Sequence, residues 1–110
     1  MDFSYLFERY ETIPVVVKSK DTGKVLNVGF MNRRSLEKTI ETGYVWYCAR
    51  SSHRLWKKGS ESSQKIVSIY TDCDNDSLLI KVHQTGNACH KGRSSCFHNR
   101  LWPSSEHKNK

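Results

Sequence analysis

The sequence predicts a small, mainly β single domain with one or two short helices. Short runs rich in β-branched and aromatic residues recur along the chain, separated by turn-forming groups such as Asp21-Thr22-Gly23 and Asn75-Asp76. A length of 110 residues provides one hydrophobic core but leaves no room for a separately folded second domain. We therefore assign residues 1–102 to the domain and residues 103–110 to a polar, disordered tail.

The predicted elements follow from local patterns of apolar residues. In the first ten residues, apolar side chains at near-helical spacing behind Asp2 predict a short amphipathic helix. The first two predicted strands form a hairpin around Asp21-Thr22-Gly23. All the predicted strands are Val15 to Lys18, Val25 to Met31, Tyr44 to Cys48, Gln64 to Thr71 and Leu78 to Gln84.

One further helix is predicted between the second and third strands. Asn32 is a suitable N-cap for a helix from Arg33 to about Thr42, and Gly43 can adopt the left-handed conformation that ends it. Leu36 and Ile40 would share its apolar face. The polar stretch from 50 to 63 is predicted to be a mobile substrate-binding loop.

Composition narrows the class of protein. The start of the chain lacks the basic segment and apolar run of a secretory signal, and no apolar stretch reaches transmembrane length, so we expect a cytoplasmic protein that does not bind membranes. In that reducing compartment, the four cysteines are expected to be metal ligands, reactive thiols or core residues. The formal net charge of +7 suits either nucleic acid or a small phosphorylated substrate.

The segment Asp72-Cys73-Asp74-Asn75-Asp76 is the densest chemical signal. If it continues a strand, its three aspartates project to one face and Cys73 to the other, so that one segment could serve two metals. Clustered carboxylates favour a hard cation such as Mg²⁺, whereas a thiolate favours Zn²⁺. The alternative interpretation is a solvated acidic turn.

Cys89 and Cys96 are too far apart in sequence for a zinc ribbon or finger. With Cys73 they would supply three thiolates and leave one tetrahedral position for water, as in catalytic zinc sites. Cys48 could be a fourth ligand that closes the site, but its aromatic surroundings favour a buried core thiol. His90 directly follows a proposed ligand and could relay protons near neutral pH.

Several ordered blocks of the chain together resemble the phosphoribosyl-AMP cyclohydrolase family. The blocks are Ile13-Pro14-Val15-Val16-Val17, Phe30-Met31-Asn32-Arg33, Leu36-Glu37-Lys38-Thr39, Glu41-Thr42-Gly43, Arg50-Ser51, Leu55-Trp56-Lys57-Lys58-Gly59, Asp72-Cys73-Asp74-Asn75-Asp76 and Ala88-Cys89-His90-Lys91-Gly92-Arg93-Ser94-Ser95-Cys96-Phe97. The chain departs from the family pattern at Ala49, where a serine is usual, and in a shorter loop between Gly59 and Gln64.

The resemblance implies a small split-barrel-like fold in an intertwined homodimer. It also implies one Zn²⁺ per subunit, held by Cys73, Cys89 and Cys96 drawn from both chains, and one Mg²⁺ per subunit on the three aspartates, Asp72, Asp74 and Asp76. We assign proton transfer to His90. Substrate binding is assigned to Arg50, Ser51, Lys57, Lys58 and Arg93, and each of the four basic residues could equally be ordinary solvated surface.

The implied reaction adds water to carbon 6 of the N1-substituted adenine ring of phosphoribosyl-AMP and opens the N1–C6 bond, a step of histidine biosynthesis. On this interpretation the partner is a small molecule and not nucleic acid. Two alternatives stay open at this point. One is a basic zinc-containing module that binds nucleic acid. The other is a family member that has lost activity through its shortened loop.

Overall fold

The computed structural model describes residues 2–59, 62–89 and 91–103. A four-stranded sheet with strand order β2-β1-β6-β5 dominates it. Strands β1 and β6 run parallel, and the other neighbouring pairs are antiparallel. The elements are β1 (Ile13–Ser19), β2 (Val25–Met31), α1 (Arg33–Thr42), β3 (Tyr47–Cys48), β4 (Leu55–Trp56), β5 (Ser63–Thr71) and β6 (Leu78–Thr85). This mainly β domain confirms the predicted fold class.

The core lies on the inner face of this sheet. Alternate residues of the two central strands are buried there, as expected for strands with one face covered. On β1 these are Ile13, Val15 and Val17, and on β6 they are Leu78, Ile80 and Val82. The predicted hairpin of β1 and β2 is confirmed, with β1 two residues longer at its start and one at its end.

The outer face of the sheet carries an apolar row that crosses all its strands. The row consists of Val28, Val16, Leu79 and Tyr70, which are direct neighbours in the strand register. Val28 and Tyr70 are exposed, and Val16 and Leu79 are half-buried. Covering a continuous apolar row on an exposed sheet face lowers the free energy. The row therefore marks a surface whose burial against another molecule is favourable.

Helix α1 confirms the predicted helix and both of its caps. The Asn32 side chain accepts from the Ser35 backbone N–H at 2.9 Å, and Gly43 ends the helix in the left-handed conformation. The predicted apolar face is only half right, because Leu36 is buried but Ile40 is exposed. Thr39 takes the inner position instead, where its hydroxyl accepts from the Trp46 backbone N–H at 2.8 Å.

Within the described ranges, no helix is long and apolar enough to cross a membrane.

Two local predictions need correction. The predicted N-terminal helix is only a 3-10 turn, Ser4–Phe7, because its first N–H groups bond to Asp2 and to the Phe3 carbonyl at short range. The predicted strand from Tyr44 to Cys48 shrinks to β3, preceded by one bridge to β5. Its partner β4 lies inside the stretch predicted to be a loop. The tail from 104 to 110 lies outside the described residues.

A closed ring of hydrogen bonds joins β2, β3 and β5 inside the core. The Asn27 amide donates to the Tyr47 hydroxyl at 2.9 Å, this hydroxyl donates to the Gln64 side-chain carbonyl, and the Gln64 amide donates to Asn27 at 2.9 Å. All three residues are buried, so each polar group has its partner where water cannot supply one. Gly29 lies directly against the Tyr47 ring, where a Cβ would clash.

Candidate active site

A cavity of about 560 Å³, which we call the thiol pocket, opens where β6 ends. Its volume lies in the range of pockets that hold small molecules. Its walls come from the end of β4, the β4–β5 connection and the loop after β6. The lining residues are Trp56, Lys57, Lys58, Gly59, Ser62, Gly86, Asn87, Ala88, Cys89, Gly92 and Cys96.

Two of the predicted zinc ligands lie in the thiol pocket. The backbone N–H of Lys91, followed by the neighbouring Cys96 thiol, lowers the pKa of Cys89. Burial and the adjacent Cys89 raise the pKa of Cys96. Cys89 is therefore the better thiolate of the pair, and a thiolate is the form that binds metal. The chain bends back here because the Cys96 backbone N–H donates to the Leu26 carbonyl at 2.8 Å.

His98 also reaches this thiol pair. Its Nε2 lies 3.8 Å from the Cys89 Sγ. The sequence interpretation missed His98 because its spacing from the cysteines is not distinctive. A signal was available, since residues two apart in an extended segment lie on the same side, which places His98 with Cys96.

The two predicted phosphate-binding lysines of the β4–β5 connection, Lys57 and Lys58, line the thiol pocket. Lys58 also donates to the Ala88 carbonyl at 2.9 Å, which ties this connection to the loop that carries Cys89. The ammonium group is thereby fixed beside the thiols. An anionic group entering the pocket would meet two positive charges.

Trp56 forms one wall of the thiol pocket and stacks on Tyr47. The ring centroids are 4.4 Å apart and the planes differ by 16°. The sequence interpretation treated Trp56 as part of the family blocks and gave it no role. The two-residue pairing of β3 with β4 is too short for sequence periodicity to detect.

The residues Asp72–Ser77, which we call the acidic turn, connect β5 to β6. The Asp72 backbone N–H donates to the Ser77 carbonyl at 3.0 Å, and Asn75 adopts a left-handed conformation with φ of 61°. The Ser77 hydroxyl donates to Asp72 and lowers the pKa of this carboxyl to about 2. The neighbouring Asp74 raises the pKa of Asp76. Crowded carboxylates of this kind suit a hard cation.

The acidic turn does not continue β5 as a strand. The prediction that its aspartates project to one face and Cys73 to the other is therefore wrong. Since β5 ends at Thr71 and the chain turns, Cys73 is not on the face opposite the aspartates. Donor atoms of Asp72, Cys73 and Asp74 all lie within 4.8 Å of one another. The neighbouring Asp72 carboxylate raises the pKa of the Cys73 thiol.

The acidic turn and the thiol pocket lie at opposite ends of β6. This strand spans about 24 Å, at about 3.4 Å per residue over the seven steps from Leu78 to Thr85. In the described part of the chain, neither Cys89 nor Cys96 joins the compact donor group of Cys73. One chain therefore does not bring its three proposed zinc ligands together.

The remaining predicted site residues are spread over the surface. Arg50 and Ser51 are exposed in the β3–β4 loop, where the Arg50 guanidinium lies 4.7 Å from the centroid of the Phe30 ring on the outer sheet face. Arg93 is exposed beside the thiol pocket, and its carbonyl accepts from the Cys89 backbone N–H at 3.1 Å. The proposed proton relay, His90, lies outside the described residues.

The metal-binding atoms of the thiol pocket and of the acidic turn fit the metals expected from the sequence. Paired thiols beside an imidazole suit Zn²⁺, and the oxygen-rich acidic turn suits Mg²⁺. Cys48 is buried, away from both sets, and burial raises the pKa of its thiol. It is a core residue, as the sequence predicts.

The chain is similar to known proteins over most of its length. The family model described as phosphoribosyl-AMP cyclohydrolase matches residues 27–98. A protein of that name from Listeria innocua is 51% identical over 91 residues, covering 81% of this chain and 87% of the relative. One from Methanococcus maripaludis is 45% identical over 103 residues, covering 92% and 80%. The chain belongs to the phosphoribosyl-AMP cyclohydrolase family.

Proposed function

We propose that this chain hydrolyses phosphoribosyl-AMP, opening the N1–C6 bond of its adenine ring in histidine biosynthesis. The observation that carries the proposal is the thiol pocket, which brings Cys89 and Cys96 together with Lys57 and Lys58 in one cavity. Thiolates hold a Lewis-acidic metal, and lysines bind the phosphate groups of a nucleotide. The family similarity names the matching substrate.

Cys73, Cys89 and Cys96 would hold Zn²⁺, which when bound supplies activation of water at neutral pH. The chain's own residues do the rest. Lys57 and Lys58 neutralise phosphate charge and orient the base toward the thiols. We assign proton transfer to His90 because it directly follows Cys89 in the sequence.

The acidic turn would hold Mg²⁺ through Asp72, Asp74 and Asp76. Three carboxylates on one short turn repel one another, and a bound hard dication would relieve that repulsion and supply positive charge for a phosphate group. The exposure of Asp72 and Asp74 leaves room for such a ligand. Phosphate held at this turn would fix the end of the substrate that is remote from the reacting carbon.

We further propose that the working site is shared between two copies of the chain. Cys73 and the acidic turn lie at one end of the sheet, and Cys89 and Cys96 at the other. A two-fold axis perpendicular to β6 would place one end of a protomer against the opposite end of its partner. Arg50 and Ser51 lie near the acidic-turn end, since Phe30 pairs with Pro14 at the start of β1, so they would act in the partner's pocket.

The apolar row on the outer sheet face supports this dimer. Val28, Val16, Leu79 and Tyr70 run across the whole sheet, and within the described part of the chain Val28 and Tyr70 stay exposed while Val16 and Leu79 are half-buried. A second copy is the natural occupant, because the row is continuous with the acidic turn through Tyr70 and Leu79, which flank a cavity that also contains Asp72. Covering the row would place the second copy beside the acidic turn.

A ring-opening assay on zinc-loaded protein tests the proposed activity. We expect turnover that is lost, together with bound zinc, in Cys89→Ser. The matched control is Cys48→Ser, which replaces a thiol outside both donor sets and should keep zinc and activity. Wild-type protein that folds and binds zinc but does not open the ring would contradict the activity and leave an inactive family member.

A further inference from the structure

We propose that Trp56 is a stacking platform for the adenine base and that its open face favours an electron-poor ring. This inference rests on the proposed function, because it states how the thiol pocket holds the base of that substrate. It assigns a role to a residue that the metal chemistry does not use. The ligand class it predicts is a purine nucleotide substituted at N1.

Tyr47 covers one face of the Trp56 indole, and among the described residues no second ring stacks on the other face. Tyr47 stacks on the covered face with a centroid separation of 4.4 Å, and Tyr47 itself is 0% exposed. Trp56 is nevertheless 39% exposed and lines the thiol pocket. The open surface of the indole therefore belongs to the same cavity as Cys89 and Cys96.

The nearby ammonium group of Lys58 does not cover this open face. Its Nζ lies 5.9 Å from the Tyr47 centroid and 5.8 Å from the Trp56 centroid. A point almost equally distant from two stacked rings lies beside the stack and not over either outer face. Lys58 can therefore bind a phosphate while a base lies flat on Trp56.

The platform is held rigidly before any ligand arrives. Tyr47 is fixed by the hydrogen-bonded ring with Asn27 and Gln64, and its backbone pairs with that of Trp56. Gly29 presses on the Tyr47 ring without a side chain between them. Since these contacts already order both rings, stacking a base costs little further conformational entropy.

The chemistry of the indole face gives the platform a preference. Base stacking on an aromatic side chain is tolerant of sequence because every base has a π face. The indole face also carries negative electrostatic potential, so it attracts cationic or electron-poor rings most strongly. An adenine alkylated at N1 is such a ring, whereas the adenine of AMP is not. The platform would therefore favour the substrate over ordinary adenine nucleotides.

Calorimetric titration with AMP and with 1-methyl-AMP tests this preference without requiring turnover. We expect wild-type protein to bind 1-methyl-AMP about tenfold more tightly than AMP, and Trp56→Leu to weaken 1-methyl-AMP binding by about tenfold and abolish the preference. The control Trp102→Leu removes an indole that is 84% exposed and outside the pocket, and should behave as wild type.

A ring series keeps the test decisive if Trp56→Leu does not fold. Affinity for 1-methyl-AMP should fall in the order wild type, Trp56→Tyr, Trp56→Phe, following the strength of the ring's interaction with cations. Equal affinity for the two nucleotides in wild-type protein, or a series without this order, would overturn the platform. Either result is independent of ring opening, so a protein that shows the preference but no turnover refutes only the proposed activity.

Discussion

The two ends of the sheet carry chemically complementary groups but are built in different ways. At the thiol pocket, Cys89 is buried, and Lys58 and the Cys96 backbone tie its loop to the rest of the domain. At the acidic turn, Asp72, Cys73 and Asp74 are all exposed and are held by bonds within the turn and by one from Arg9 to the Asp74 carbonyl. One end is part of the core, and the other projects from it.

Because of this difference, the two ends of the sheet should respond differently to substitution. A change beneath the thiol pocket disturbs packed side chains and therefore costs stability. A change in the acidic turn alters ligands that have few packing partners, so it should affect chemistry while leaving the fold intact.

The largest expected effect is on activity, in dimers that combine a variant of the acidic turn with a variant of the thiol pocket. Cys73→Ser and Cys89→Ser should each reduce activity to that of zinc-free protein, because each dimer then has two incomplete zinc sites. A mixed dimer of the two variants has one site with both lesions and one with neither. Co-refolding with Zn²⁺ gives about half mixed dimers, so recovery should approach about a quarter of wild-type activity.

Cys89→Ser mixed with Cys96→Ser is the matched control for this experiment. Both lesions lie in the same thiol pocket, so every site in the mixed dimer carries one lesion and no activity should return. Mixed dimers of Cys73→Ser and Cys89→Ser that form, as judged by mass, yet stay inactive would refute a shared site.

The next effect is on stability beneath the thiol pocket. Gly29→Ala places a Cβ 2.8 Å from Cε2 of Tyr47, and overpacking of this kind costs about 1–3 kcal/mol. We expect a lower midpoint of thermal unfolding at matched protein concentration, measured by circular dichroism. Gly59→Ala has open space around its new Cβ and should leave the midpoint unchanged. An unaltered midpoint in Gly29→Ala would mean that the Tyr47 ring is free to move.

At the acidic turn we expect a chemical effect without a thermal one. Asp72→Asn, Asp74→Asn and Asp76→Asn should each raise the Mg²⁺ concentration for half-maximal activity on the order of tenfold, or about 1.4 kcal/mol. A neutral amide is a poorer ligand for a hard dication, but bound zinc and the unfolding midpoint should stay near wild type. Normal activity of all three variants at limiting Mg²⁺ would reduce the acidic turn to a surface feature.

The smallest effect is expected at the β3–β4 loop. Arg50→Met should raise the KM for phosphoribosyl-AMP about threefold, since an exposed charge contributes modestly to binding. Arg54→Met removes a positive charge from the same loop, at a position with no proposed role, and should leave KM unchanged. If both variants raise KM equally, the effect reflects net charge and not a contact made by Arg50.

The local elements of the fold were predictable because their signals lie within a few residues. Asn32 and Gly43 mark both ends of α1, and β2 occupies the predicted range. Long-range pairing was not predictable, since no local pattern states that β1 and β6 are parallel neighbours. Ile40 illustrates a second limit: its helical spacing matches that of Leu36, yet the buried position belongs to Thr39.

In the candidate site, too, the chemistry of the residues was predictable from the sequence, but their positions in space were not. The sequence assigned Cys89 and Cys96 to a zinc site and Lys58 to substrate binding, and the thiol pocket places all three in one cavity. The distance of Cys73 from them depends on the tertiary course of β6 and could not be read from spacing. The place of Trp56 in the pocket wall was missed because it depends on Tyr47, which stacks on it from another strand.

The parallel pairing of β1 with β6 also constrains how the chain folds. Val15 pairs with Leu78, 63 positions later, so the centre of the sheet depends on contacts between distant parts of the chain. Closing so long a loop is slow compared with forming α1 or the β1–β2 hairpin. During synthesis, the edge of β1 stays unpaired until β6 has left the ribosome. Assembly of the full sheet is therefore a late event, and the nascent protein exposes an apolar strand edge to chaperones or to other chains in the meantime.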